Sequence, residues 1–404
     1  MTEDVGDPPS ATLRRELGLG GAVVTGLGSI LGTGAFVSIG LASAMWGDAV
    51  VLAIPLAAGV AVFNGLSSAF LAGRFPVAGG TYEYGYRTLN PWLGYTSGWL
   101  FILAKTASAA SASLGVAIYL GADSFLVPIV AAVGVTAMVA VGLRRTTLVN
   151  LLLLTATVLA ILWFASTGLR EDGATPLTVG VVDWSLPAAV AFLFVAYTGY
   201  GRIATLGEEV HRPEKVIPVA VVVTLAVAAL LYMGIELGGR SLGGEAWGEL
   251  IRLGFVDDPV VKVGAVTAML GVLLNLVLGL SRVWLAMGRR GDMPAGLAHL
   301  DRRRQPLAAI AVSGTLIALV TLVGDIGLAW SFSAMTVLLY YGLTNLATLS
   351  VDRSRVTAWA GLISCASLSL FVPPPVWLIG AGLIGAGLLW RLVFGFLGGE
   401  PAPD

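Results

Sequence analysis

The sequence predicts an all-α integral membrane protein of about twelve transmembrane helices. Three observations carry that expectation: a composition too apolar for water, a succession of apolar runs of spanning length, and positive charge gathered on alternate connections. Of the 404 residues, 57% are hydrophobic and only 12% are charged, and the mean hydropathy is +0.88. Soluble domains usually carry about 25% charged residues, so membrane lipid is the expected surrounding.

A spanning helix needs about 20 mostly apolar residues. Runs of that kind lie at roughly 18–44, 48–73, 91–121, 124–142, 147–167, 184–201, 216–238, 259–288, 306–323, 326–350, 357–371 and 375–397. The eleventh is short and ends at "PPP", Pro373 to Pro375, so ten spans plus a hairpin is the alternative. The chain then divides into a tail at 1–17, a core at 18–350, two additional helices within 351–397, and a second tail at 398–404.

Charge sets the orientation. With a cytoplasmic N-terminus and alternating spans, sixteen of the 23 basic residues fall on cytoplasmic segments. Only Arg170, Arg240, Arg252 and Lys262 fall on outer ones, while Lys105, Arg202 and Arg282 remain at membrane depth. A bias of that size follows the positive-inside rule. It places a multi-pass protein in the cell membrane, plasma or inner, with both termini in the cytoplasm. The start, "MTEDVGDPPSATLRREL", reads as a short soluble tail without a secretory signal.

Several function classes drop out. A net charge of −1 gives no reason to expect a nucleic-acid partner. The lone Cys365 allows no intrachain disulfide, and His211 and His299 lie far apart in polar connections, so no metal site or other cofactor is expected. The spans hold no paired carboxylates, His/Cys cluster or nucleophile motif, so an enzyme is not expected. Oligomeric state is not legible.

The first span carries "GLGSILGTGAFVSIG", with Gly26, Gly28, Gly32, Gly34 and Gly40. Glycine inside a helix costs roughly 1 kcal/mol relative to alanine. In lipid every backbone polar group needs a partner, and a broken helix persists only where it lines a cavity or is buried in protein. A break would free N–H and C=O groups for a ligand, with N-terminal dipole ends favouring anions. Close helix packing through small residues is the alternative, and Gly28 and Gly32 have the spacing for it.

The sixth span, "AFLFVAYTGYGRIATLGEEVHRPEKVIP", repeats the signature with Gly199 and Gly201 around Tyr200. It follows the first by five spans, so the two run in opposite directions. Interrupted helices at matching places in two halves point to an inverted-repeat transporter with a midplane site. The repeats would be spans 1–5, about 18–167, and spans 6–10, about 184–350. Residues 30–34 and 198–202 are expected to be non-helical and to face one another across a central cavity.

These residues resemble a known family. "GSILGTGAF" (Gly28 to Phe36) resembles the first-helix motif of the amino acid–polyamine–organocation (APC) permeases. "FPVAGGTYEYGYRTLNPWLGYTSGW" (Phe75 to Trp99) is similar to their second-to-third-helix connection, and "FLFVAYTGYGRIATLGEEVHRPEKVIPVAV" (Phe192 to Val221) to their sixth helix and following loop. "GLSRVWLAMGRRGDMP" (Gly279 to Pro294) looks like the end of their eighth helix and "YYGLTNLATL" (Tyr340 to Leu349) like their tenth. The motifs come in family order over about residues 15–350.

The resemblance implies a LeuT-type 5+5 inverted repeat, in which spans 1, 2, 6 and 7 rock against 3, 4, 8 and 9. It implies secondary active transport of a small molecule, a zwitterionic amino acid, held between the broken first and sixth helices. Carried over by position, Gly32, Thr33 and Gly34 would offer backbone N–H groups, and the Thr33 hydroxyl, to the substrate carboxylate. The carbonyls of Ile30, Val195 and Thr198 would accept from its ammonium, a split that suits amides at a helix start to an anion. Phe194, Val195, Tyr197 and Tyr200 would line the pocket and its gate, with packing against other helices as the alternative for the aromatics. The chain departs from many relatives in having Gly201 ahead of Arg202 and Ala35 in the first motif, and its outer connections are short.

None of the 24 acidic residues lies in the middle third of a span. Lys105 lies about 14 residues into the third span, about 21 Å deep at 1.5 Å per residue. An ammonium at such depth is costly, which makes Lys105 a candidate for coupling to a proton, or for a structural cap on freed carbonyls. Ser281, beside Arg282, is a candidate neighbour of an ion site. Sodium needs several oxygen ligands whereas a proton needs one titratable group, so proton-coupled symport is the expectation. The alternatives are an amino-acid or polyamine exchanger, which like-charge repulsion from Lys105 disfavours, and a non-transporting amino-acid sensor on the same fold.

Overall fold

The computed structural model describes residues 17–75, 79–122, 124–142, 147–168, 184–204, 210–243 and 258–398. The first span is two half-helices: α1 (Leu19–Ile30), then a π-helical turn at Gly34–Ser38 that runs into α2 (Ile39–Trp46), with a 50° bend between the halves. α3 (Ala49–Arg74) follows, and a short helix, α4 (Thr81–Thr88), precedes α5 (Pro91–Tyr119), α6 (Leu126–Ala140) and α7 (Thr147–Gly168). The sixth span is also interrupted: α8 (Ser185–Tyr197) passes through a 3₁₀ turn, Thr198–Tyr200, into α9 (Gly201–Ala204). The remainder is α10 (Pro213–Gly243), α11 (Pro259–Arg290), α12 (Leu307–Thr321), α13 (Ile326–Val351), α14 (Val356–Ser369) and α15 (Pro374–Gly398).

Local chemistry sets several of these ends. Asn90 caps α5 by accepting from the Leu93 amide at 2.9 Å, and Pro91 fills the first helical position. Asp258 and Pro259 do the same for α11, with Asp258 accepting from the amides of Val260 and Val261, and Asp325 caps α13 through the Leu328 amide. A capping oxygen satisfies an orphan donor, and proline at the first position has no N–H to lose. At its far end α11 stops at Gly291, whose φ of +84° suits glycine.

Among the described residues eight helices are long and apolar enough to cross a membrane, nine if the bent first pair is one span. Three further apolar helices, α6, α12 and α14, are 15, 15 and 14 residues long. Helices thus stand at all twelve expected places, but three fall short of spanning length on their own. The expected breaks are narrower in the structure: Thr33 is already helical and Gly201 and Arg202 begin α9, so the irregular backbone is confined to Leu31–Gly32 and to the turn at Thr198–Tyr200. A π and a 3₁₀ turn absorb most of each interruption while keeping their own hydrogen bonds, which lipid demands.

Packing sorts the helices into two groups. α3 packs on α8 and α10, and α1 on α10, whereas α5, α6, α11 and α12 pack on one another. α13 lies along α5 and joins the groups, touching α3 and α8 on one side and carrying α14 on the other. The second half of α5, "AKTASAASASLG", is nearly all small residues and buried, which lets α11 and α13 approach closely. A cross-link also ties the two broken spans: Leu17 and Val210 form a parallel bridge, and the His211 amide donates to the Leu17 carbonyl at 3.0 Å.

Candidate substrate-binding site

The site starts where α1 fails. Leu31 is extended, its amide closing on Leu27, and the next turn is anchored by the Gly32 carbonyl, which accepts from the amides of Ala35 and Phe36 at 3.0 and 3.1 Å. The amides of Gly32, Thr33 and Gly34 therefore precede the first turn of the second half-helix, where N–H groups lack intrahelical partners. Opposite them α8 tightens, with the Thr198 amide donating to the Val195 carbonyl.

The halves cross closely. A Cβ on Gly199 would lie 2.2 Å from the Ser29 carbonyl oxygen, and one on Gly34 would lie 2.8 Å from the Ala196 Cβ. Between them is a cavity of about 50 Å³. Its walls are Ser29, Ile30, Thr33 and Gly34 from the first span, Val195, Ala196, Thr198 and Gly199 from the sixth, Lys105 and Ser108 from α5, Val272 and Leu276 from α11, and Trp330 from α13.

The polar groups in these walls fall into two sets. Lys105 Nζ donates to Thr198 Oγ1 at 3.1 Å, and that hydroxyl donates on to the Val195 carbonyl at 2.9 Å. Ser108 pairs with Ser333 at 2.7 Å, and Ser333 reaches the Ala104 carbonyl. The carbonyls at the breaks also have donors: Tyr232 OH reaches Ala196 at 2.9 Å and Ile30 at 3.3 Å, and Tyr341 OH reaches Thr198 at 3.4 Å. The Thr33 hydroxyl differs: it is buried, lines the cavity and has no hydrogen-bond partner.

Two groups of aromatic rings pack around the breaks, and of these only Trp330 lines the cavity itself. Trp46, Phe192 and Trp330 cluster on one side, with centroids 5.2 and 6.3 Å apart, and Trp330 Nε1 donates to the Phe192 carbonyl at 2.9 Å. Phe101, Tyr340, Tyr341 and Tyr200 form a chain of contacts on the other, at 5.6, 5.0 and 5.2 Å.

Of the residues singled out in the sequence, Ile30, Thr33, Gly34, Lys105, Val195 and Thr198 meet at the cavity. Gly32 sits behind it, where a Cβ would strike Val272 at 2.5 Å. Phe194 packs edge-on against Tyr341, Tyr197 OH donates to the Ile54 carbonyl at 3.0 Å, and Tyr200 stacks on Tyr341, so these three rings turn to helix neighbours. Ser281 Oγ donates to the Leu278 carbonyl of its own helix at 2.9 Å and is not among the lining residues. Sequence reading placed Gly199 at the break without giving it a binding role, and missed Ser29, Ser108, Ala196, Val272, Leu276 and Trp330. Only Ser29 and Ala196, inside the quoted first- and sixth-span motifs, carried a signal that could have found them.

Two interrupted helices that meet around a polar cavity are the arrangement found at transporter binding sites. A family model described as amino acid permease matches residues 21–238, more than half of the chain. The chain belongs to the amino acid permease family. The permease is 37% identical over 398 residues to an uncharacterized transporter of Mycobacterium tuberculosis, a match that covers 93% of this chain and 90% of that one. It is 26% identical to the branched-chain amino acid permease BcaP of Bacillus subtilis, over 76% of this chain and 74% of the relative. It is also 26% identical to a methylthioribose transporter of the same organism, over 72% and 71%. The permease is thus a multi-pass membrane transporter of the APC superfamily, and its relatives are transporters rather than enzymes.

Proposed function

We propose that this permease is a secondary active transporter of amino acids in the cell membrane, working by alternating access and coupled to protons. The observation that carries the reading is the buried, unpartnered Thr33 hydroxyl on the cavity wall, at the start of the second half-helix and facing the 3₁₀ turn of the sixth span. A substrate carboxylate at that helix start supplies the acceptor the hydroxyl lacks. The substrate ammonium lies at the Ile30 carbonyl, which Tyr232 reaches at 3.3 Å and which retains a second lone pair after accepting once. In this reading all twelve helical segments cross the bilayer, with flanking turns completing α6, α12 and α14, and the two broken spans are equivalent members of a 5+5 inverted repeat.

Lys105 supplies the coupling. It is the one charged side chain on the cavity wall among the described residues, and its nitrogen rests on Thr198 at the break of the sixth span. A proton bound to it on one side of the membrane and released on the other alters the polarity of the site in step with occupancy. The test is uptake of a labelled amino-acid panel into proteoliposomes. Stimulation by an imposed pH gradient, none by a sodium gradient at constant pH, and loss of the pH response in Lys105→Gln are expected. Stimulation by sodium would overturn proton coupling, and absence of uptake or counterflow for every amino acid would overturn the transporter reading.

A further inference from the structure

The cavity supplies donors far more generously than acceptors. On its wall are the ammonium of Lys105, the free hydroxyl of Thr33 and the amides that open the second half-helix. No aspartate or glutamate lines it among the described residues. Four carbonyls at the breaks already accept at least one hydrogen bond: Val195 from Thr198, Ala196 and Ile30 from Tyr232, and Thr198 from Tyr341. The wall is set for more negative charge than one carboxylate brings.

The geometry of Lys105 sharpens the point. The Thr198 hydroxyl spends its proton on the Val195 carbonyl, so toward Lys105 it can only accept. That uses one of the three N–H directions of an ammonium. The other described contact, the Phe101 ring with its centroid 6.0 Å away, supplies no lone pair. Lys105 is only 9% exposed, and a buried cation without a counter-anion is strongly unfavourable. A ligand anion in the cavity removes that penalty.

We propose that Lys105 is a specificity-determining residue that makes this site select a compact acidic amino acid. The α-carboxylate lies at Thr33 and Gly34, and the side-chain carboxylate lies on Lys105. This rests on the permease reading above and goes beyond it by assigning the substrate's charge. Trp330, Val272 and Leu276 complete the wall around a small cavity of about 50 Å³, which suits a compact side chain. A cationic side chain is excluded because it would meet the ammonium with no acidic group to screen it. A substrate with one net negative charge neutralises charged Lys105 in the occupied site, which lowers the cost of holding both charges away from water.

The test is counterflow of labelled L-aspartate, L-alanine and L-lysine by the full-length protein in proteoliposomes, with thermal stabilisation of the detergent-solubilised protein by the same three compounds as a binding readout. In the unmodified protein aspartate should outrank alanine by at least about tenfold in apparent affinity, because a site built around a polar group rejects ligands that leave it unpaired. Lysine should give no response. Lys105→Gln should bring aspartate and alanine to near parity, and Lys105→Arg, which keeps the cation, should retain the preference. An unmodified protein that handles alanine or lysine as well as aspartate overturns the inference and leaves the permease reading standing. A preference unchanged in Lys105→Gln overturns it as well. No response to any amino acid sinks both. The panel on the unmodified protein decides even where Lys105→Gln does not fold.

Discussion

Gly199 lies so close to Ser29 that an added Cβ would sit 2.2 Å from the Ser29 carbonyl oxygen and 2.5 Å from its carbon. The obstacle is backbone, which cannot rotate aside, so the two broken spans touch through a point that only glycine allows. Gly199→Ala should lower stability by about 1–3 kcal/mol, the usual penalty for overpacking, and abolish uptake. Gly34→Val meets Ala196 Cα at 2.9 Å and should behave alike, whereas Gly28, with nothing within 4 Å of its Cβ position, should accept alanine. Thermal unfolding in detergent and uptake in proteoliposomes check all three. An active, stable Gly199→Ala would show that the crossing is looser than described.

Thr33 offers a cleaner separation of binding from folding. Its hydroxyl has no partner in the protein, so Thr33→Val removes a buried orphan and leaves the shape unchanged. Thermal stability should hold or rise slightly. The apparent affinity for the transported amino acid should fall by roughly three- to tenfold, the worth of one hydrogen bond, and Thr33→Ser should restore it. Unaltered transport kinetics in Thr33→Val would remove the hydroxyl from the site.

Asp292 tests whether the last helix is an accessory. Its carboxylate accepts from Tyr82 at 2.7 Å, Tyr86 at 2.6 Å and Arg391 at 2.9 Å, joining α4, the end of α11 and α15. Arg290 reinforces the same corner through Glu83 at 2.7 Å. Asp292→Ala should cost roughly 2 kcal/mol, since hydrogen bonds to a charged group are worth more than neutral ones. Arg391→Met should cost less, because Asp292 keeps its bonds from Tyr82 and Tyr86 and the methionine fills the space beside Tyr95 and Trp92. The midpoint of thermal unfolding ranks the two, and an Asp292→Ala protein no less stable than Arg391→Met would contradict the hub.

Arg240 and its acids form a second tie. Arg240 bridges the fully buried Glu236 at 2.6 Å and Asp48 in the turn between α2 and α3, and also donates to the Gly47 carbonyl at 2.8 Å. Removing one member of a buried pair costs about 3–5 kcal/mol because the other charge stays behind. Arg240→Met should therefore be strongly destabilising, and adding Glu236→Gln should recover part of the loss. Unfolding midpoints of the two single variants and the double decide it, and additivity would show that the pair is not coupled.

Both breaks were legible because glycine and the membrane's intolerance of unpaired backbone leave a visible signature, and Lys105 was legible because charge at that depth is rare. The directions of the rings were not. Tyr197 and Tyr200 flank the break and read identically whether they turn to a cavity or, as here, to Ile54 and Tyr341. Val272, Leu276 and Trp330 were invisible because each is one residue of an ordinary apolar helix, selected only by how α11 and α13 pack. The carbonyl partners Tyr232 and Tyr341 were hidden for the same reason, since they come from helices remote in sequence.

The bridge between Leu17 and Val210, with the His211 amide on the Leu17 carbonyl, has a mechanical consequence. It pins the start of α1 to the segment following α9, while Ser29 and Gly199 pin the same two pieces at the break. Two spans held together at one end and in close contact at the break move more readily as a unit than apart. A passage opening at that end of the molecule is favoured between this pair and the wall formed by α5, α11 and α13, since a path between the two spans would have to break the bridge.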